Sequence, residues 1–175
     1  MSLFGYFVIA RHPRPLYELP AVQRLCRESD EEFISPGTLA NLRAEGDWQL
    51  LQVLGGWSAE LADELAAQTA APAMSIYVVE SAFGIIEART AEGGSWQGYL
   101  NPRAAVQAYG APPPPELDAV VAAAVAWAAD TGHPADAGAL PTALQGRVGP
   151  FGEGVNVLVE ALGFRFGAGE ELPDD

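Results

Sequence analysis

The sequence predicts an α+β fold in a single domain over residues 1–175, with a largely antiparallel sheet packed against several helices. The strongest β-type segments follow one another between residues 74 and 100, and the turns between them are short enough for hairpins. Apolar residues at helical spacing lie on both sides of that block. Hydrophobic residues make up 49 % of the chain and charged residues 18 %, which is typical of a globular domain that needs no disulfide.

The chain opens with a predicted strand and a short helix. Residues 6–9 are aromatic and β-branched, and the prolines within residues 12–15 end the strand because proline has no N–H to donate. Residues 19–27 then place Val22 and Cys26 on one face of a helix. The densest acidic run of the chain follows this helix.

A second helix is predicted after the acidic run. Ser35 and Pro36 are typical of an N-cap followed by proline at the first helical position. Leu39 and Leu42 share a helical face. Gly46 is typical of the residue that ends a helix.

Segment 48–54 fits both a helix and a strand. Its leucines have helical spacing, but the glycine pair at 55–56 favours a strand that enters a turn. Ser58 is then expected to cap a helix in which Leu61 and Leu65 face the core. The sequence therefore predicts a strand followed by a helix in this part.

Three successive strands form the most strongly predicted part of the fold. They are expected at 74–80, 83–89 and 95–100. Ser81 and Ala82 provide the first turn, and two glycines at 93–94 provide the second. We predict an antiparallel meander over this block.

The C-terminal part is predicted to be helical around one stiff spacer. A helical turn opens at residues 101–102, and the four prolines of 112–115 form an extended segment. Residues 116–130 form a helix that is apolar nearly all round over 117–129, which indicates burial or a partner. The remaining predicted segments are weak helices at 135–145 and 154–162 and a flexible acidic tail at 170–175.

Charge is the property that most restricts the function classes. The chain has 23 acidic residues, nine arginines and no lysine, for a formal net charge of −14. Such a charge repels nucleic acids and anionic membrane surfaces, so we expect neither as a partner. No apolar run is long enough to span a bilayer and no leader segment is recognisable, so the sequence predicts a soluble cytoplasmic protein.

Residues suited to catalysis or to metal binding are few. Cys26 is the single cysteine and lies on the predicted core face of its helix. His12 and His133 lie far apart in sequence and form no zinc-type pattern, and the acids at 30–32 lack the spacing of a calcium loop. Ser95 lies between glycines but not on the strand-to-helix turn of a nucleophile elbow. We therefore predict no catalytic residue, no metal site and no cofactor.

The favoured function is an interaction module that binds a basic protein. Small acidic bacterial proteins that block a basic toxin, such as immunity proteins, have this size and charge, as do accessory proteins of larger systems. An acidic patch with one exposed aromatic residue is the expected binding surface. Its predicted members are Asp30, Glu31, Glu32, Glu45, Asp47 and Trp96.

Two other functions remain open from the sequence. A small-molecule-binding protein or a carboxylate-based enzyme would use a pocket on the 74–100 meander, with Glu80, Glu87, Arg89 and Tyr99 as its polar groups. A homo-oligomeric scaffold, for example a homodimer, would use the apolar helix at 117–129 as its interface.

Overall fold

One six-stranded antiparallel sheet organises the part of the chain that the computed structural model describes, residues 3–28 and 38–167. The strands of this part are β1 (Gly5–Arg11), β2 (Thr38–Arg43), β3 (Trp48–Val53), β4 (Ala73–Val79), β5 (Phe83–Arg89) and β6 (Ser95–Leu100). Its helices are α1 (Pro20–Glu28), α2 (Leu61–Thr69), α3 (Pro102–Tyr109), α4 (Leu117–Asp130), α5 (Leu140–Gln145) and α6 (Glu153–Ala161). The predicted α+β fold is confirmed, including the strand at 48–54 and the meander. The predicted tail at 170–175 lies outside the described residues.

Strand β1 lies in the interior of the sheet. The strand order is β2-β3-β1-β4-β5-β6, and every neighbouring pair is antiparallel. All residues of β1 except Arg11 are buried. Because both faces of β1 are covered, its sequence is apolar without alternation, as is usual for strands that are buried on two sides.

The larger core lies between one face of the sheet and the C-terminal helices. Here Ile9, Ile76 and Leu100 of the strands pack in one cluster with Trp127 of α4 and Leu158 of α6. Burial of side chains of this size contributes about 2 kcal/mol each, so this layer is a major source of stability.

The second core lies on the opposite face, beneath α1 and α2. Val8 and Leu51 of the sheet pack there with Val22 of α1 and Leu65 of α2. The strand residues of this cluster come from β1, β3 and β4, and none of its described members belongs to β5 or β6. On this face, α2 therefore contacts β5 through the Asp63–Arg89 ion pair, while the apolar core itself does not extend to β5 and β6.

The predicted helix beginning at Ser35 is wrong for the residues that the structure describes. Residues 38–43 form β2, and Ser35 itself lies outside the described residues. Leucines three positions apart fit a helix, but β3 offers this segment a ladder of backbone hydrogen bonds. Its side chains then alternate, because Asn41 is buried on one face while Leu42 packs against the larger core on the other.

The predicted cap of α2 is also wrong. The helix begins at Leu61, after Glu60, and no side chain caps it. The backbone of Ser58 instead bonds the Tyr6 hydroxyl, which accepts from the Ser58 N–H at 2.8 Å and donates to the Ser58 carbonyl oxygen at 3.1 Å. Leu61 and Leu65 are buried, as the sequence predicts.

Helix α4 is buried on one side only. Val120, Ala124 and Trp127 are buried against the rest of the chain, whereas Ala122 and Ala126 are exposed. Contacts within the chain therefore account for only part of this apolar helix, and its contact with a partner stays a prediction. None of the helices in the described chain is long and apolar enough to cross a membrane.

A fully buried glutamine ties the segment before α1 to the sheet. The Oε1 atom of Gln49 accepts from the backbone N–H of Leu16 at 3.0 Å and from the Nδ2 of Asn41 at 3.1 Å. Its Nε2 donates to the carbonyl oxygens of His12 at 2.7 Å and Arg14 at 2.8 Å. The two prolines of this segment cannot join a strand ladder, so a side chain provides the hydrogen bonds instead.

We predict that Gln49→Leu lowers the free energy of unfolding by about 3 kcal/mol, because it leaves several buried backbone and amide groups unpaired. Urea denaturation followed by tryptophan fluorescence measures the change. Gln23→Leu is the matched control, because Gln23 is exposed on α1 and its replacement is expected to change the value by less than about 0.5 kcal/mol. A loss below about 1 kcal/mol for Gln49→Leu would contradict the structural role.

Candidate functional site

A groove of about 510 Å³ lies over β5 and β6, beside the second core and on the same face of the sheet. Strands β5 and β6 form its floor, a loop residue before α2 forms one wall, and the proline segment before α4 forms the other. The lining residues are Trp57, Ile85, Glu87, Gln97, Gly98, Tyr99 and the prolines of 112–115.

The register of β5 and β6 sets the floor of the groove. Ile85 pairs with Tyr99 and Glu87 pairs with Gln97 across the two strands. Because side chains alternate along a strand, these four residues share one face, while Ile86 faces the larger core. The floor thus combines an apolar side chain, a phenol, an amide and one carboxylate.

The first wall is the indole of Trp57, which is 47 % exposed. Its ring lies 6.4 Å from the ring of Tyr6 at 20° and 5.6 Å from that of Tyr77 at 65°, measured between centroids. Tyr6 in turn holds the adjacent residue Ser58 through two hydrogen bonds. Burial raises the pKa of the Tyr6 hydroxyl, so it stays neutral and can both donate and accept. Trp57 is therefore a positioned aromatic surface.

The second wall is the proline segment 112–115. The hydroxyl of Tyr99 donates to the carbonyl oxygen of Pro112 at 3.1 Å and so attaches this segment to the floor. Proline fixes its own backbone torsion and has no N–H. The wall is consequently stiff, and it presents pyrrolidine rings and carbonyl oxygens.

Glu87 is the charged residue on the floor of the groove. It is 8 % exposed, and its Oε2 lies 3.7 Å from the Nη2 of Arg89. From the rest of the described chain, residues 3–28 and 38–167, its carboxylate accepts no hydrogen bond. Burial raises the pKa of Glu87, while Arg89 lowers it and Asp63 raises it. Its carboxylate oxygens are not among the buried side-chain atoms that lack a hydrogen-bond partner, so they are accessible from the groove.

Arg89 offsets the charge of Glu87 only in part, because it has other partners. Its Nε lies 2.5 Å from the Oδ1 of Asp63, and its Nη1 donates to the carbonyl oxygen of Ala88 at 3.0 Å. The three charged groups together carry one net negative charge. The groove therefore favours a cation over an anion.

The structure brings together three of the four residues predicted for a pocket on the meander. Glu87, Arg89 and Tyr99 lie on the same face of β5 and β6. Glu80 lies apart from them in the turn between β4 and β5, where its φ is 50° and its carboxylate accepts from the Tyr109 hydroxyl. Glu87 is paired with Ser75, five positions along β4 from Glu80, or about 17 Å at the usual rise per residue. The two carboxylates therefore form no catalytic pair.

Among the described residues predicted for an acidic patch, Glu45 and Asp47 lie together, but Trp96 does not join them. Glu45 and Asp47 are exposed in the turn between β2 and β3. Trp96 is half-buried on β6. Four strand spacings separate β6 from β3, which is a distance of about 19 Å across the sheet. It packs against the larger core, and its indole nitrogen has no hydrogen-bond partner in the described part of the chain. Asp30, Glu31 and Glu32 lie outside the described residues.

Both walls of the groove were missed as site residues by sequence reasoning. Trp57 carried a usable signal, because a tryptophan between a glycine pair and Ser58 lies in a loop, where aromatic side chains are often exposed. The prolines of 112–115 were predicted as a stiff spacer, and their position beside β6 depends on contacts that no local pattern encodes.

Comparison of the chain with protein-family models, with curated proteins and with solved structures finds no match. Within the described ranges, no group of three or more His, Cys, Asp or Glu side chains is placed to hold a metal ion. The chemistry of the groove is therefore the basis for a functional proposal.

We predict that Glu87→Gln makes the protein more stable at pH 7.5 by about 1 kcal/mol, because burial of the side chain disfavours the charged form of Glu87. The folded state keeps the Glu87 proton to a higher pH than the unfolded state does, so the contribution of Glu87 to stability falls as the pH rises from about 4.5 through its raised pKa. The increase in stability caused by Glu87→Gln should therefore be small at pH 4.

Urea denaturation at the two pH values measures this difference. Glu92→Gln is the control, since it removes an exposed carboxylate from the turn between β5 and β6 and should change stability at neither pH. If Glu87→Gln is less stable than the wild type at pH 7.5, Glu87 is a structural group and the interpretation of its environment is wrong.

Proposed function

We propose that the protein is a binding protein for a basic partner and that its groove receives a positively charged group of that partner. The observation that carries this proposal is Glu87, a largely buried side chain whose carboxylate opens onto the groove floor and whose ion pair at 3.7 Å is its single partner among the described residues. A cation that enters the groove would replace water as the donor to this carboxylate.

The walls support the same class of ligand. An aromatic face attracts a cation through its quadrupole, with a typical contribution of about 0.5–2 kcal/mol, and Trp57 is the most favourable aromatic residue for this contact. The apolar stem of a long basic side chain can pack on the proline rings of 112–115 while its head reaches Glu87. Aromatic, apolar and anionic surfaces are thus combined in one groove.

The charge distribution outside the groove supports a macromolecular partner. The formal net charge of −14 attracts basic surfaces over several ångströms at low salt. Glu60 follows Trp57 closely in sequence, Glu116 directly follows the proline wall, and both are exposed. These carboxylates would contact further charges of a basic protein around the group that enters the groove.

The other hypotheses have less support. A small organic cation fits the groove itself but would leave the surrounding carboxylates without a role. A carboxylate-based enzyme would need a second acid near Glu87, and Glu80 lies about 17 Å away by the strand geometry. A scaffold that assembles through α4 would use an outer face made of small alanine side chains, including Ala122 and Ala126.

Titration with capped amino acid amides tests the proposal. We expect N-acetyl-arginine amide and N-acetyl-lysine amide to bind with dissociation constants of about 1–10 mM, and the uncharged norleucine amide not to bind. The NMR signal of the Trp57 indole N–H reports binding. Glu87→Gln should weaken the binding of the cations about tenfold, and Glu92→Gln should not change it. If the norleucine amide binds equally well, or if no amide binds, the proposal is wrong.

We also predict that Trp57→Ala weakens the binding of the cationic amides about five- to tenfold, because it removes the aromatic wall. Phe151→Ala is the matched control, since Phe151 is 80 % exposed and does not line the groove. The same NMR titration, followed on the backbone amides of β5 and β6, gives both affinities. If Trp57→Ala binds the cationic amides as tightly as the wild type does, Trp57 is not part of the binding site.

A further inference from the structure

The groove offers two neighbouring hydrogen-bond acceptors beside an aromatic face, and we infer that the group it binds is the guanidinium of an arginine on the surface of a protein partner. This inference rests on the proposed function, because it specifies which cation the same groove receives. Its support comes from the acceptors on the floor, the surface of Trp57 and the absence of donors in the proline wall.

The acceptors are Glu87 and Gln97, which are directly opposite each other on β5 and β6. Cβ atoms of such cross-strand pairs lie about 5 Å apart. Within residues 3–28 and 38–167, Gln97 makes no side-chain hydrogen bond and Glu87 has only its ion pair with Arg89 at 3.7 Å, so both side chains can accept from a ligand. A guanidinium has five N–H groups in one plane and can bond both acceptors at once, whereas the donors of an ammonium diverge from one nitrogen.

The indole of Trp57 favours the same cation. A guanidinium is planar and weakly hydrated, and it stacks on aromatic rings, whereas an ammonium is a compact and strongly hydrated charge. The ring contacts with Tyr6 and Tyr77 fix the indole before a ligand arrives. A flat cation can therefore lie along the indole at little cost in side-chain entropy.

The remaining surfaces of the groove accept hydrogen bonds but donate few. The prolines of 112–115 have no backbone N–H, and the Arg89 guanidinium is already bound to Asp63 and to the Ala88 carbonyl oxygen. A ligand that only donates, as a guanidinium does, matches this pattern. A ligand that carries its own carboxylate would meet further negative charge.

The exposed carboxylates around the groove indicate that the arginine belongs to a protein. Glu60 and Glu116 are exposed and lie beyond the groove lining that holds the guanidinium, so free arginine would not contact them. A protein surface that presents one arginine among other basic residues would contact them in addition. We therefore expect a basic peptide to bind more tightly than a single capped arginine.

Calorimetric or NMR titration of the wild type and two variants tests the inference. The probes are N-acetyl-arginine amide, N-acetyl-lysine amide and a ten-residue basic peptide with one central arginine. We expect the arginine amide to bind about fivefold more tightly than the lysine amide, and the peptide about tenfold more tightly than the arginine amide. Gln97→Leu should reduce the arginine preference to less than about twofold, whereas Gln145→Leu, at an exposed position of α5, should keep it.

Each of the other outcomes contradicts one part of the inference or the proposed function. Equal affinity for the arginine and lysine amides, with both lost in Glu87→Gln, would overturn the guanidinium inference and leave the proposed function intact. A full arginine preference in Gln97→Leu would show that Gln97 does not select the ligand. If the peptide binds no more tightly than the arginine amide, the conclusion that the arginine belongs to a protein partner is wrong. Failure of all three probes to bind would overturn the proposed function itself.

Discussion

The burial of β1 on both faces is the constraint on which the rest of the structure depends. An apolar strand in the interior of a sheet needs neighbouring strands on both edges and a helical layer on each face. The C-terminal helices pack on one face, whereas on the other face the core beneath α1 and α2 includes side chains of β1, β3 and β4 but none of the described β5 or β6. The chain completes that second layer with a tryptophan and a row of prolines, and the gap between them is the groove.

The groove has a cost that the rest of the fold offsets. The Glu87 side chain is largely buried, and this burial disfavours the charged form of its carboxylate and raises its pKa. Two extensive cores and the hydrogen bonds of Gln49 give the structure enough stability to keep an unfavourable carboxylate. Local departures from optimal stability are expected where a surface serves recognition.

Sequence reasoning succeeded where one local pattern dominated and failed where distant contacts decided. Residues 74–100 form strands because β-branched and aromatic residues are separated by short turns, and a period of two then places Glu87 and Tyr99 on one face. The segment at 38–43 carried a helical leucine spacing, but its pairing with β3 outweighed that weak preference. The proline wall could not be predicted, since its position depends on the hydroxyl of Tyr99, outside its own segment.

The proline segment also determines how an extended peptide can lie in the groove. The hydroxyl of Tyr99 attaches the segment over the sheet face, where the prolines of 112–115 line the groove. Because proline has no N–H, this wall offers no backbone donor to a peptide that enters. Such a peptide cannot pair with the wall as a β-strand, so its contacts there depend on its side chains.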